Sequence, residues 1–209
     1  IEEMPVPASD VEGEKAAPTQ PMTRLPEPAT ADDWGGVFRL ADWASFGFCS
    51  AKAADLRYEG RYTPPSLRGT LTFPATAGGM QWGGGTVDPD TGIYYVNSSK
   101  IVQIYQLIPR EEYDRLTSGG SEAGGGLFPQ NGAPYGFRLT NFLNPLGMPC
   151  WKPPYGTMCA VDLKTGDVLW INADYAMGGD VREAEGAEKR VRQLLEEFPL
   201  ASEGAETQR

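Results

Sequence analysis

Thr157-Met158-Cys159-Ala160-Val161-Asp162-Leu163-Lys164-Thr165-Gly166-Asp167-Val168-Leu169-Trp170 is the stretch that decides the fold. An apolar run, a polar turn and a second apolar run spell a β-hairpin. Asp162 is placed to accept hydrogen bonds from backbone donors of the turn, and Gly166 takes a positive φ. Trp170 stands at the end of the returning strand, where its ring can wedge between neighbouring sheets. All of this is scaffold: no residue of the motif has to touch a ligand. A second Val-Asp-x-x-Thr-Gly begins at Val87, 74 residues before the one at Val161. A hairpin repeated in this way is what a propeller or another radial β array shows.

Composition agrees. The 209 residues include 26 Gly and 18 Pro, against a usual combined share of roughly 12%. So much punctuation excludes a helix bundle and favours short strands joined by turns. The chain has no histidine and a formal charge of -10. A Ser-His-Asp triad, a His-ligated metal and a His acid/base are therefore excluded within this chain. An acidic chain lacks the clustered cations that nucleic acid requires. No apolar run approaches the roughly 18 residues of a membrane span. The start, Ile1-Glu2-Glu3-Met4-Pro5, does not read as a signal peptide.

Outward from the hairpins, residues 67–108 read as strands, with Leu71, Phe73, Val87, Ile93, Tyr95 and Val96 as strand formers and 101–108 as a further strand ending at Pro109. Residues 117–136 read as a long loop, and 137–156 carry few regular signals. Trp43, Phe46, Cys49, Ala53 and Leu56 fall at helical spacing and predict one short helix over 40–57, capped by Asp42. Six prolines mark residues 1–33 as an extended strap or a disordered lead-in. Residues 173–209 form an acidic tail, with a helix expected over 183–197. The domain reading is thus a strap over 1–33, a β domain over 34–172 and the tail over 173–209.

Candidate site residues are few. The run Gly78-Gly79-Met80-Gln81-Trp82-Gly83-Gly84-Gly85 is no phosphate loop, because no Gly-Lys-Ser/Thr follows and neither does a helix. It fits a close approach of backbone to something flat, or close strand packing. Asn97 ends the strand Tyr94-Tyr95-Val96 and reads as a turn former, or as an amide offered to a ligand at the end of the sheet. Asp88, Asp90, Asp162 and Asp167 sit in turns and form no acid/base pair. Lys100 and Lys164 read as solvated. Cys49, Cys150 and Cys159 read first as buried thiols. A Cys49–Cys150 bridge is the alternative, and only in an oxidising compartment.

Several blocks carry a resemblance. Arg57-Tyr58-Glu59-Gly60, Tyr62-Thr63-Pro64-Pro65-Ser66 and Gly69-Thr70-Leu71 resemble membrane-bound quinoprotein dehydrogenases, the glucose and quinate/shikimate dehydrogenases that use pyrroloquinoline quinone (PQQ). Gly79-Met80-Gln81-Trp82-Gly83-Gly84 with Val87-Asp88-Pro89 is similar to the same family. So are Gly132-Ala133-Pro134-Tyr135-Gly136, the run from Phe142 to Cys150, and Pro153-Pro154-Tyr155-Gly156 leading to Trp170.

The resemblance implies an eight-bladed propeller, with PQQ near its axis beside a divalent cation (Ca or Mg). It implies an Asp base, a Lys and an Arg on the quinone, and electrons passed to ubiquinone. It covers residues 2–170, about two blades. The catalytic Asp, the metal ligands and the membrane segments are expected upstream of Ile1, and further blades after Trp170. In place of those blades stands the acidic tail. Asn97 matches a family Asn close to PQQ, and Trp82 matches a Trp whose role is packing beside the cofactor.

The expectation is therefore an all-β partial propeller with one or two short helices. It would be a piece of a periplasmic, membrane-associated PQQ-dependent dehydrogenase of a sugar, polyol or cyclic hydroxy acid, inactive alone. Its partners would be the remaining blades. The alternative is a non-catalytic propeller fragment or scaffold.

Overall fold

The two hairpins pair with each other. The computed structural model describes residues 1–22, 33–80, 83–118 and 126–172. In it β5 (Thr86–Asp88) turns into β6 (Ile93–Ser99), and β10 (Gly156–Asp162) turns into β11 (Val168–Asn172). Strands β6 and β10 run antiparallel from Ile93 opposite Asp162 to Ser99 opposite Gly156. The sheet order is β11-β10-β6, with β4 (Gly79–Met80) and β5 sharing the outer edge of β6. This is the up-and-down sheet of a propeller blade. The repeated motif therefore marks the two halves of one sheet rather than two successive blades.

Both turns form as the residues predict. The Asp162 carboxylate accepts from the Lys164 N–H at 2.7 Å, and Gly166 has φ +79°. Asp88 accepts from the Asp90 N–H at 3.0 Å and from the Thr91 hydroxyl at 2.7 Å. A local side-chain bond of this kind fixes the turn before any tertiary contact forms. Trp170 lies opposite Ala160 in the ladder. The expected wedging of its ring lies outside the described residues' side chains.

Residues 100–155 are an excursion between β6 and β10, and they build most of a second sheet. Its order is β3 (Thr70–Thr72), β7 (Gln103–Pro109), β9 (Tyr135–Asn141) and β8 (Leu127–Phe128). The pairing of β7 with β9 runs from Gln103 opposite Asn141 to Pro109 opposite Tyr135. Residues 135–141, expected to be irregular, are thus a strand. A helix that the sequence reading missed, α3 (Arg110–Thr117), follows Pro109 and begins with Glu111 and Glu112. Both are ordinary start signals. Arg110 fastens the following loop by donating to the carbonyls of Pro129, Gln130, Ala133 and Tyr135 at 2.6–3.0 Å.

The expected single helix over 40–57 is two, α1 (Arg39–Ala44) and α2 (Phe48–Asp55). The break falls at Phe46 and Gly47, whose φ values are +54° and +83°. Asp42 is not the N-cap: it lies inside α1, whose N-cap is Phe38, and its carboxylate accepts from the Ser50 N–H of α2 at 2.9 Å and from the Ser50 hydroxyl. Only part of the helical-spacing set turns inward. Cys49 and Leu56 are buried, whereas Trp43 is 78% and Phe46 100% exposed.

The core gathers Cys49, Leu56, Leu71, Phe73, Val102, Phe142, Cys150 and Trp151. Cys49 and Cys150 form a disulfide with Cα atoms 5.4 Å apart, which corrects the leading reading of free thiols. The chain brings the two together because Phe38 N–H donates to the Cys150 carbonyl at 2.8 Å and Val37 bridges Trp151. Cys159 is the buried free thiol, packed with Val96 and Val161.

The described part of the strap, residues 1–22, pairs with itself. Strands β1 (Glu2–Pro5) and β2 (Thr19–Met22) pair, and Arg57 holds the segment between them. Its buried guanidinium donates to the Ala8 carbonyl at 2.6 Å and faces Asp10 at 3.2 Å and Glu59 at 2.6 Å. The helix expected over 183–197 lies outside the described residues. No helix among the described residues is long and apolar enough to cross a membrane.

Candidate functional site

Asn97 lies inside β6 rather than at its end, since the strand continues to Ser99. Alternation along the strand sends Val96 and Ser98 into the packed face and leaves the Asn97 amide exposed on the other. Met158 lies opposite Asn97 in the ladder, and it too is exposed. Above these residues the glycine run turns back along the edge of β6. The result is an open cleft of about 480 Å3 lined by Gly83, Gly84, Gly85, Thr86, Tyr95, Asn97 and Met158.

The three glycines differ in their physical reason. A Cβ on Gly85 would stand 2.2 Å from the Tyr95 carbonyl oxygen and 2.7 Å from the Tyr94 ring, so Gly85 serves close strand packing. A Cβ on Gly83 or Gly84 would meet nothing within 4 Å. The backbone there is bare and faces open space. A flat group can lie on such a wall at van der Waals distance, which no side-chain-bearing residue allows. Close strand packing thus holds at Gly85, while Gly83 and Gly84 leave bare backbone on the cleft. Trp82, the other expected contact, lies outside the described residues.

Among the described residues the lining carries an amide, a phenol, a hydroxyl and a thioether, with no carboxylate, Lys or Arg. Among the described residues no group of three metal-binding side chains gathers. The turn carboxylates lie away from this lining, and Asp88 is held below its usual range by the Thr91 hydroxyl and then by the Asp90 N–H. The cleft can hold, orient and hydrogen-bond a planar ligand. Among the described residues, its lining holds no group that could act as a proton acceptor at neutral pH.

The segment before β4 is tied to the second sheet. The Tyr105 hydroxyl accepts from the Thr76 N–H at 2.8 Å, and the Thr76 hydroxyl donates to Gln103 Oε1 at 3.0 Å. Gln103 Nε2 in turn donates to Asn141 Oδ1 at 2.9 Å. This chain of bonds pins the loop that leads into Gly79, and sequence reasoning gave no sign of it. Lys100, expected to be solvated, is half-buried, and burial pushes its amine below the usual 10.5 against the opposing pull of Asp33. Asp33 also accepts from the Tyr58 hydroxyl at 2.6 Å. Burial, then that bond, raises Tyr58 above its ordinary range.

An antiparallel blade-like sheet of this order defines a class, the β-propeller proteins. The chain belongs to the PQQ family of the glucose/ethanol/alcohol dehydrogenase β-propeller domain, whose model matches residues 1–194. It is 37% identical over 179 residues to a probable quinate dehydrogenase (quinone) of Xanthomonas campestris pv. juglandis, covering 81% of this chain and 22% of that protein. It is 38% identical over 174 residues to the quinoprotein glucose dehydrogenase of Escherichia coli (strain K12), covering 80% and 22%. The glycerol dehydrogenase large subunit of Gluconobacter oxydans (strain 621H) is 33% identical over 194 residues, covering 81% and 25%. The chain thus spans about a fifth to a quarter of the length of these relatives. No solved structure matches it.

Proposed function

We propose that this chain is the part of a PQQ-dependent dehydrogenase against which one face of the cofactor lies. The single observation that carries the reading is the bare wall of Gly83 and Gly84 beside the exposed amide of Asn97. When bound, PQQ supplies an ortho-quinone that accepts two electrons from a hydroxyl-bearing carbon. The residues of this chain bind and orient. Gly83 and Gly84 let the ring approach the backbone, Tyr95 and Met158 border it, and the Asn97 amide offers a donor and an acceptor at its edge. Trp82, next to Gly83 in sequence, is proposed to pack beside the same ring.

The neutral lining assigns the remaining tasks elsewhere. The base, the divalent cation and the positive groups that balance the carboxylates of PQQ are proposed to come from other parts of the protein that carries this chain. The chain alone is then inactive. The relatives' printed names support a sugar, polyol or cyclic hydroxy acid as substrate and a quinone as acceptor. The Cys49–Cys150 disulfide supports an oxidising compartment, which in a bacterium is the periplasm.

The test is a PQQ titration with calcium present, followed by tryptophan fluorescence, on the protein that carries this chain and on its Asn97→Ala variant. Loss of one hydrogen bond of about 1–1.5 kcal/mol weakens binding about five- to twelvefold. An unchanged affinity would remove Asn97 from the site.

A further inference from the structure

Among the described residues the cleft lining holds one sulfur, the thioether of Met158, and that side chain is 47% exposed. The ladder sets it beside Asn97. Lys100 N–H donates to the Tyr155 carbonyl at 2.9 Å, and Leu163 N–H donates to the Gly92 carbonyl at 3.0 Å. These two bonds bracket the register of β6 with β10. The even-numbered residues of β6 therefore bond to β10, and Asn97 opposite Met158 is a non-hydrogen-bonded pair. Such pairs bring their Cα atoms to about 4.5 Å and their side chains onto one face. The thioether thus stands next to the amide.

The other sulfurs nearby are placed differently. Cys159, the next residue along β10, turns to the packed face, where it is 0% exposed against Val96 and Val161. Burial also pushes its thiol above the usual 9.0, which keeps it out of the reactive thiolate form. Met80 is 51% exposed, but it lies opposite Ser98 and so belongs to the other face of the sheet, outside the cleft lining. Met158 is the sulfur that a small oxidant entering the cleft meets.

A thioether reacts with hydrogen peroxide without first losing a proton. A sulfur lone pair takes one peroxide oxygen: the S–O bond forms, the O–O bond breaks, and the departing hydroxide leaves as water with the proton of the transferred oxygen. Sulfur is oxidised by two electrons and the peroxide is reduced by two, giving methionine sulfoxide and water. A flexible apolar side chain becomes a polar one. Its new oxygen is an acceptor beside the Asn97 amide, which is thereby drawn away from a ligand. The favourable contact of the sulfur with a flat ring is lost as well.

We infer that Met158 is a peroxide-modification site whose oxidation lowers the affinity of the cleft for its planar ligand. The inference rests on the reading of the cleft as a PQQ site. The test exposes the protein that carries this chain to hydrogen peroxide, with and without PQQ and calcium, and follows each methionine by peptide mass spectrometry. Without PQQ, Met158 and Met80 are both expected to gain an oxygen. PQQ is expected to slow the reaction at Met158 severalfold and to leave that at Met80 unchanged. The oxidised protein should bind PQQ roughly tenfold more weakly in the fluorescence titration. Methionine sulfoxide reductase should reverse the loss. In Met158→Leu the affinities before and after peroxide should be equal. Met158 left unmodified while Met80 is oxidised overturns the inference. So does a peroxide-dependent loss that Met158→Leu retains, or a PQQ affinity that oxidation of Met158 leaves unmoved. A failure of the PQQ reading shows differently: PQQ then shields neither Met158 nor the Gly83 and Gly84 amides, and the inference falls with it.

Discussion

Removing the Cys49–Cys150 disulfide is the perturbation whose size the structure fixes best. The bond closes a loop with a sequence separation of 101 residues and lies wholly buried in the main core. Opening it frees the denatured chain, and for a loop of about 100 residues the loop-closure entropy amounts to about 4.7 kcal/mol at 25 °C. Domains of this kind hold only about 5–15 kcal/mol in all. With a urea slope of roughly 2 kcal/mol/M, the midpoint should fall by roughly 2 M on reduction or in Cys49→Ala/Cys150→Ala. Urea unfolding followed by circular dichroism, with and without dithiothreitol, reads this directly. Thiol counting in denaturant without reductant should find one free group, that of Cys159. Three titrating thiols, or a midpoint that reduction moves by less than about a tenth of the predicted shift, would refute the reasoning.

The cleft glycines give a paired prediction: Gly83→Ala should leave the melting temperature unchanged and weaken PQQ binding, whereas Gly85→Ala should lower the melting temperature because its Cβ meets the Tyr95 carbonyl at 2.2 Å. Asn144→Ala removes a buried amide whose Oδ1 accepts from the Leu146 and Met148 N–H groups at 3.0 and 2.9 Å. It should cost about 2–3 kcal/mol by chemical denaturation, and a cost near zero would deny the turn its anchoring role. Asp42 is held below its ordinary 3.8, first by the Ser50 hydroxyl and then by the Ser50 N–H. Its folded value is depressed, so its contribution is present above the unfolded value and is lost as pH falls through the folded one. The Ser50 amide resonance should therefore titrate with a midpoint below 3.8, and Asp42→Asn should abolish that titration.

What could be read in the sequence was local. Asp162 to Gly166 and Asp88 to Gly92 each encode a turn through bonds that span two or three residues, so both hairpins were legible. Their union through β6 and β10 was not, because residues 100–155 separate the strands and pairing of that range leaves no periodic trace. The Cys49–Cys150 disulfide stood only as the alternative reading for the same reason, since a separation of 101 residues says nothing of geometry. Helix α3 carried ordinary start signals at Pro109, Glu111 and Glu112, yet it lay beside a glycine-rich stretch that read as loop throughout. In the site, resemblance pointed to Asn97, and strand alternation explains why its amide faces out. The different duties of Gly83 and Gly85 needed coordinates, because a glycine that makes room and a glycine that avoids a clash are the same letter.

Hydrogen–deuterium exchange of the protein that carries this chain, with and without PQQ and calcium, tests the central claim most directly. The account predicts that PQQ slows exchange at Gly83, Gly84, Thr86 and the edge of β6 around Asn97, and that Asn97→Ala weakens this protection at a given PQQ concentration. Protection confined to other segments, with these amides exchanging at the same rate in both states, would contradict it.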